Sequence, residues 1–184
     1  METVFRAAER DEYPLVLDFY CCLIDEMHGI PYSPSWKIGI YPTEEYLQQS
    51  VQNGQVYLAL DGETVMGAFI LNNVFGEGYA KAAWLVPAEA GEYSVVHALG
   101  IRPRFTKRGL GRMLLRNALL IARNQGKKAV RLDVLKGNRP AERLYTSVGF
   151  HLVQTVRLFY GDTGWGDFNL YEFDLSTIPG EAFL

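Results

Sequence analysis

The chain has almost no cysteine: two residues in 184, Cys21 and Cys22, and they are neighbours. A bridge between adjacent cysteines is strained and no third thiol offers a partner, so no disulfide framework is expected and the setting is read as reducing and cytoplasmic. Net charge is also scarce, with 18 Lys and Arg against 21 Asp and Glu giving −3. That balance argues against nucleic acid or an anionic membrane as partner, so any basic patch has to be local. No metal site is expected. Long apolar runs are missing too. The first twenty residues, METVFRAAERDEYPLVLDFY, alternate charged with apolar side chains, and no stretch approaches the ~20 residues of a membrane span.

What is present is ordinary globular composition, 48% hydrophobic and 21% charged, over a length that suits one domain spanning 1–184 with its own core. Thr3–Arg6 reads as a short strand, and a helix follows from Arg10-Asp11 to about Met27, with Leu15, Phe19, Cys22 or Leu23, and Met27 on one face. Thr43 caps a second helix, Glu44 to Gln52. Val56–Leu60 and Val65–Asn72 form a hairpin across Asp61-Gly62-Glu63. Phe75–Gly91 mixes Gly76, Gly78, Pro87 and Gly91 with Tyr79–Leu85 and is read as a loop with an interrupted strand. Farther on, Ala129–Leu135 is a buried strand and Asn138–Val148 a helix. Strands over Phe150–Tyr160 and Phe168–Leu175 close the chain, with Gly161 to Gly166 turning between them.

The stretch that organises the rest runs from Ser94 to Arg112. Ser94–Ile101 is a β-branched strand, and Leu110, Leu114, Ala118 and Ile121 begin a helix that runs to about Gln125. The turn between them contains Lys107, Arg108, Gly109, Leu110 and Gly111. Two glycines there let several backbone N–H groups point at one spot where the helix dipole is positive, which makes an anion site suited to phosphates. Neither common nucleotide loop fits. Gly126-Lys127-Lys128 lies at the wrong end of a helix for a mononucleotide loop and has no Ser or Thr after it, and the dinucleotide fingerprint wants a small residue where Leu114 stands.

The loop Thr106-Lys107-Arg108-Gly109-Leu110-Gly111, after a strand ending Leu99-Gly100-Ile101-Arg102-Pro103, resembles the pyrophosphate loop of the GNAT family of N-acetyltransferases. It departs from the family pattern at Thr106, where Arg or Gln is usual. Downstream, Asn138-Arg139-Pro140-Ala141-Glu142-Arg143-Leu144-Tyr145 followed by Gly149-Phe150 is similar to the family's second signature. The resemblance spans about half the chain, from Ser94 onward. It implies a GNAT-like α/β fold in the order β-α-α-β-β-β-α-β-α-β-β, a mixed, mostly antiparallel sheet of about six or seven strands flanked by about four helices. The strands bearing Leu99 and Asp133 would splay apart to admit the pantetheine arm of acetyl-CoA. The cofactor would be held by Leu99, Gly100, Ile101, Thr106, Lys107, Arg108, Gly109, Leu110, Gly111 and Arg112, with Asn138, Ala141 and Arg143 beside it.

Transfer of an acetyl group to an amine needs a neutral amine, a polarised carbonyl and a proton for the departing thiolate. The resemblance gives the last role to Tyr145, which lies two helical turns beyond Asn138 on the same face; a core aromatic is the other reading. Asn138 fits equally a helix N-cap. His97 stands two positions before Leu99, on the same strand face in a regular strand, and its ordinary pKa is near neutral. In related enzymes a histidine there helps remove the amine proton through water; otherwise His97 is a hydrogen-bonded core residue. Glu92 is the reserve base. Carbonyl polarisation falls to a backbone N–H near Leu99 or Gly100. The thioester is expected between His97 and Tyr145, with both on one side of the sheet.

The acceptor is expected to be a small-molecule primary amine, reacting directly in a ternary complex. It would lie against aromatics among Tyr20, Tyr32, Trp36, Tyr41, Tyr46, Trp84, Tyr160 and Trp165, its ammonium near Asp25, Glu26, Glu89 or Asp162. A protein or peptide acceptor, and a non-catalytic acyl-CoA-binding domain, are the alternatives. Family members are often dimers, which leaves a homodimer open.

Overall fold

A computed structural model describes residues 3–178. Seven strands form one sheet in the order β1-β2-β3-β4-β5-β7-β6. They are β1 (Thr3–Ala7), β2 (Val56–Asp61), β3 (Thr64–Asn72), β4 (Tyr93–Ile101), β5 (Ala129–Leu135), β6 (His151–Tyr160) and β7 (Gly164–Asp174). Every neighbouring pair is antiparallel except β4 and β5. The helices are α1 (Tyr13–Met27), α2 (Glu44–Gln52), the single turn α3 (Glu77–Ala80), α4 (Leu110–Asn124) and α5 (Arg139–Val148). The expected element order is therefore present, with α3 added and no strand between β3 and β4. That region is held by side chains instead: Glu172 on β7 accepts hydrogen bonds from the backbone N–H groups of Leu85 and Val86.

Local chemistry places the elements. Thr43 Oγ1 accepts from the Tyr46 N–H at 3.0 Å and starts α2. The two-residue turn Gly62-Glu63 closes the β2–β3 hairpin with Asp61 opposite Thr64. Apolar side chains of α4, among them Leu114, Leu115 and Ala118, pack with Tyr145 of α5 and with Leu132 and Val134 on one face of the sheet. On the other face, Phe19, Tyr20 and Leu23 of α1 and Leu47 and Val51 of α2 pack against Leu58, Ala68 and Ile70.

Two irregularities in β4 build the site. Only Tyr93, Ser94 and Val95 pair with β5, although β5 stays paired with β7 out to Leu135. Beyond Val95 the two parallel strands part, as expected, and leave backbone groups without a ladder partner. The second irregularity is a bulge. Ala68 pairs with Gly100 but Ile70 pairs with His97, so β4 holds one extra residue, and Ala98 takes φ +48°. The Tyr20 hydroxyl, fully buried, donates to the Ala98 carbonyl at 2.9 Å and holds the bulge.

That extra residue corrects the expectation that His97 and Leu99 share a face. Val96, Leu99 and Ile101 pack with the α4 cluster, whereas Ala98 packs with the α1–α2 cluster and the His97 ring meets Tyr46 edge-on at 6.3 Å.

Candidate active site

A cavity of about 1480 Å³ passes through the gap between β4 and β5. One end of it lies at the start of α4. Gly109, at φ +80°, is the N-cap, with no side-chain cap and no acidic residue in the first turn. The first intrahelical bond there runs from the Met113 N–H to the Gly109 carbonyl. Among the described residues, the amides of residues 107 to 112 therefore donate to no backbone carbonyl. An uncapped helix start flanked by Lys107 and Arg112, both lining the cavity, is an anion site ready for a phosphate. The glycines serve different ends. Gly109 supplies the left-handed backbone, and Gly111 supplies room, because a Cβ there would sit 2.9 Å from Leu144 Cδ2.

Of the residues expected to hold the cofactor, Leu99, Gly100, Ile101, Thr106, Lys107, Gly109, Leu110, Gly111, Arg112, Asn138 and Ala141 line this cavity. The Arg108 and Arg143 side chains do not. The Arg108 guanidinium turns over the Phe105 ring, 5.8 Å from its centroid. Arg143 lies two residues before Tyr145, about 200° around the helix, and faces outward. Asn138 caps α5, its Oδ1 accepting from the Ala141 N–H at 3.3 Å. Lys136, absent from the expected set, adds a cation to the lining.

Tyr145 and His97 both line the cavity, but from opposite faces of the sheet. The expectation that they share one side fails, and the parted strands connect them instead. Tyr145 is buried with the α4–α5 cluster, and burial first, then the nearby Asp133 carboxylate, raise its pKa, so it stays protonated. His97 Nε2 lies 2.9 Å from the Val74 carbonyl, which can only accept, so the proton is on Nε2 and Nδ1 carries the free lone pair. Burial pushes the imidazolium pKa down to about 4 against the Val74 bond, so the ring is neutral at pH 7 rather than poised near neutrality. Glu92, the reserve base, pairs with Lys128 at 2.7 Å and is absent from the cavity lining. Asp25, Glu26 and Glu89 are absent from it as well, and Glu26 is paired with Arg102.

The residue that sequence reasoning missed is Asp133. It sits on β5 just past the parting point, lines the cavity, and accepts from Tyr79 at 2.6 Å and Tyr160 at 3.2 Å. Burial raises its pKa, and the two phenol hydrogen bonds oppose that rise. No cation pairs with it among the described residues. A buried carboxylate with two hydroxyl donors and no counter-ion can take a proton or hold an ammonium group. Its only signal in the sequence is an acid inside the apolar run Ala129–Leu135.

The pattern of the acetyltransferase (GNAT) family matches residues 23–150. The chain belongs to that family. Among its relatives, the N-alpha-acetyltransferase RimI of Mycobacterium tuberculosis is 40% identical over 87 residues, 47% of this chain and 52% of that protein. The chain thus spans about half the length of that relative. The thialysine N-epsilon-acetyltransferase of Caenorhabditis elegans is 30% identical over 130 residues, 70% of this chain and 74% of that one. Among solved structures, yncA of Salmonella typhimurium with acetyl-CoA has a TM-score of 0.70 at 16% identity, covering 96% of this chain and 95% of that one. The loading GNATL domain of CurA from Lyngbya majuscula reaches 0.74 at 13% identity, covering 97% and 100%. At such identities these structures show the fold. The family's donor is acetyl-CoA, and the uncapped amides, the flanking cations and the parted strands fit it. No helix among the described residues is long and apolar enough to cross a membrane, and none of their His, Cys, Asp and Glu side chains cluster as a metal site.

Proposed function

We propose that the protein acetylates the primary amine of a small molecule, by direct transfer in a ternary complex and in the cytoplasm. The observation that carries this reading is one cavity entered from two faces of the sheet through the parted strands. The α4–α5 face offers phosphate-binding amides, and the α1–α2 face offers a chamber walled by Trp36, Tyr41, Tyr46 and Tyr160. Over that chamber the segment after α1 meets the β6–β7 turn. Ile40 Cγ2 lies 3.2 Å from where a Cβ on Gly161 would stand, a roof that favours a small acceptor over an extended chain.

Acetyl-CoA supplies an activated acyl thioester. Asp133 and His97 face the acceptor side, Asp133 to accept the amine proton and His97 Nδ1 to orient the nitrogen or a bridging water. The amine nitrogen forms its bond to the acyl carbon as the carbon–sulfur bond breaks, and Tyr145 gives its phenol proton to the sulfur. The two ends are coupled by charge. Once Asp133 is protonated it no longer raises the Tyr145 pKa, so uptake of the amine proton primes release of the phenol proton.

The test is release of free CoA thiol with a panel of amines, polyamines, amino acids and peptides. Turnover with small amines supports the proposal. The likeness to RimI favours a peptide N-terminus as second reading, and turnover with peptides alone would install it. Binding of acetyl-CoA with no release for any acceptor would leave a non-catalytic binding domain.

A further inference from the structure

The charged residues lining the cavity are sorted by sign. Of the cations lining the cavity, Lys107 and Arg112 flank the start of α4, and Lys136 lies two residues past Val134, which packs in the α4 cluster, just before α5. The acceptor half contains Asp133 and Asp162 and, among the described residues lining it, no Lys or Arg. An acceptor carrying its own carboxylate finds no Lys or Arg among the residues lining that half, and a buried carboxylate without a partner is costly. A chamber with one acid would suffice for one reacting nitrogen, yet this one has two.

Asp162 is the second. It lies on the β6–β7 turn two residues past Tyr160, whose hydroxyl bonds Asp133, so that tyrosine links the two acids. Its charge reaches the Tyr160 phenol, and it makes no hydrogen bond or ion pair among the described residues. It also borders a smaller recess of about 410 Å³ that shares Met27, Ser33, Pro34, Ser35 and Trp36 with the main chamber. Lys37 and His28 line that recess without pairing with Asp162. Tyr32 and Trp36 add ring faces that attract a cation at the same mouth.

We infer that the acceptor is a diamine without a carboxylate, whose reacting nitrogen sits at Asp133 and whose second ammonium is read by Asp162 at the mouth of the chamber. This rests on the small-amine reading above and sharpens it. The dication enters a chamber of opposite sign, the inner nitrogen gives its proton to Asp133, and the outer one stays charged against Asp162.

The experiment compares putrescine and cadaverine with butylamine and pentylamine, with lysine as the carboxylate-bearing control, in the CoA-release assay on the full chain. Wild type should favour the diamines in kcat/KM by about tenfold, ~1.4 kcal/mol. In Asp162→Asn the diamine KM should rise and the diamine-to-monoamine ratio should fall toward one; Asp162→Glu should restore part of it. Equal use of mono- and diamines by wild type, preference for lysine, or an undiminished ratio in Asp162→Asn overturns the inference while leaving a small-amine acetyltransferase standing. Turnover with none of these amines, in protein that acetyl-CoA still stabilises against heat, overturns both readings.

Discussion

The Tyr79 hydroxyl lies 2.6 Å from Oδ1 of Asp133, joining the one-turn helix α3 to the strand at the centre of the cavity. Tyr160 donates to the other carboxylate oxygen, so the two phenols are what support the ionised form against burial. The β3–β4 connection thereby bears on the charge of the proposed base from outside the family's two signatures.

Removing either phenol should move the acid limb of the pH profile. As the proposed base Asp133 has to be a carboxylate; burial raises its pKa, and each hydroxyl lowers it. Tyr79→Phe or Tyr160→Phe therefore raises that pKa further and leaves less carboxylate at a given pH. In kcat/KM against pH, the acid limb should shift upward in both variants. A downward shift, or none, would take Asp133 out of the base role.

Asp133→Asn should reduce kcat about a hundredfold or more, the ordinary scale of a lost general base. Calorimetric affinity for acetyl-CoA should be nearly unchanged, because the phosphate amides lie at α4. The melting temperature near pH 8 should hold or rise, since a buried charge is gone. Wild-type turnover would return the proton to water or to His97.

Much of this frame is legible in the chain itself. The Asp61-Gly62 hairpin, the Thr43 cap and the Gly109–Gly111 helix start depend on residues a few positions apart, and they stand where local chemistry puts them. Asp133 was not legible, because its meaning comes from Tyr79, 54 positions earlier, and Tyr160, 27 later. The facing of His97 fails for another reason. Period-two alternation breaks at a single inserted residue, and the Tyr20 hydroxyl that holds the Ala98 carbonyl is 78 positions away. The β3–β4 connection looked part strand because its apolar residues cover Arg131, whose guanidinium stacks on Trp84 and Tyr93 and pairs with Glu172.

Tyr145→Phe keeps the ring that packs against Phe150 and Tyr171 and removes only the hydroxyl. With folding preserved, kcat should fall about tenfold to a hundredfold while the KM for acetyl-CoA stays within about threefold. If kcat matches wild type, the thiolate leaves without help from this phenol.

The two glycines of the phosphate loop should fail differently. Gly109→Ala strains the left-handed cap, costs about 1 kcal/mol and turns the amides off the ligand, so acetyl-CoA affinity should drop more than stability. Gly111→Val drives a branched side chain into Leu144 and Ile101, so the unliganded melting temperature should fall as well. Thermal shift with and without acetyl-CoA separates the two. Equal ligand-induced shifts in Gly109→Ala and wild type would remove the amides at α4 from cofactor binding.

His97 gives the last test, because its effect on stability has a definite sign. In the unfolded chain the imidazole takes a proton near its ordinary 6.5, whereas in the folded protein it does so only near 4. Between those values the unfolded state binds more protons, so stability falls as pH falls through that window and is restored above it. Asp133 works the other way: its raised pKa lets the native state bind a proton first, so acid favours folding there. Comparing melting temperatures of His97→Gln and wild type, each in an Asp133→Asn background, isolates the histidine. The His97→Gln curve should be flatter between pH 4 and 6.5, with the two converging in slope above pH 7. A parallel pair of curves would mean that His97 titrates normally and is open to bulk water, and the neutral Nε2-protonated ring would lose its place beside the acceptor.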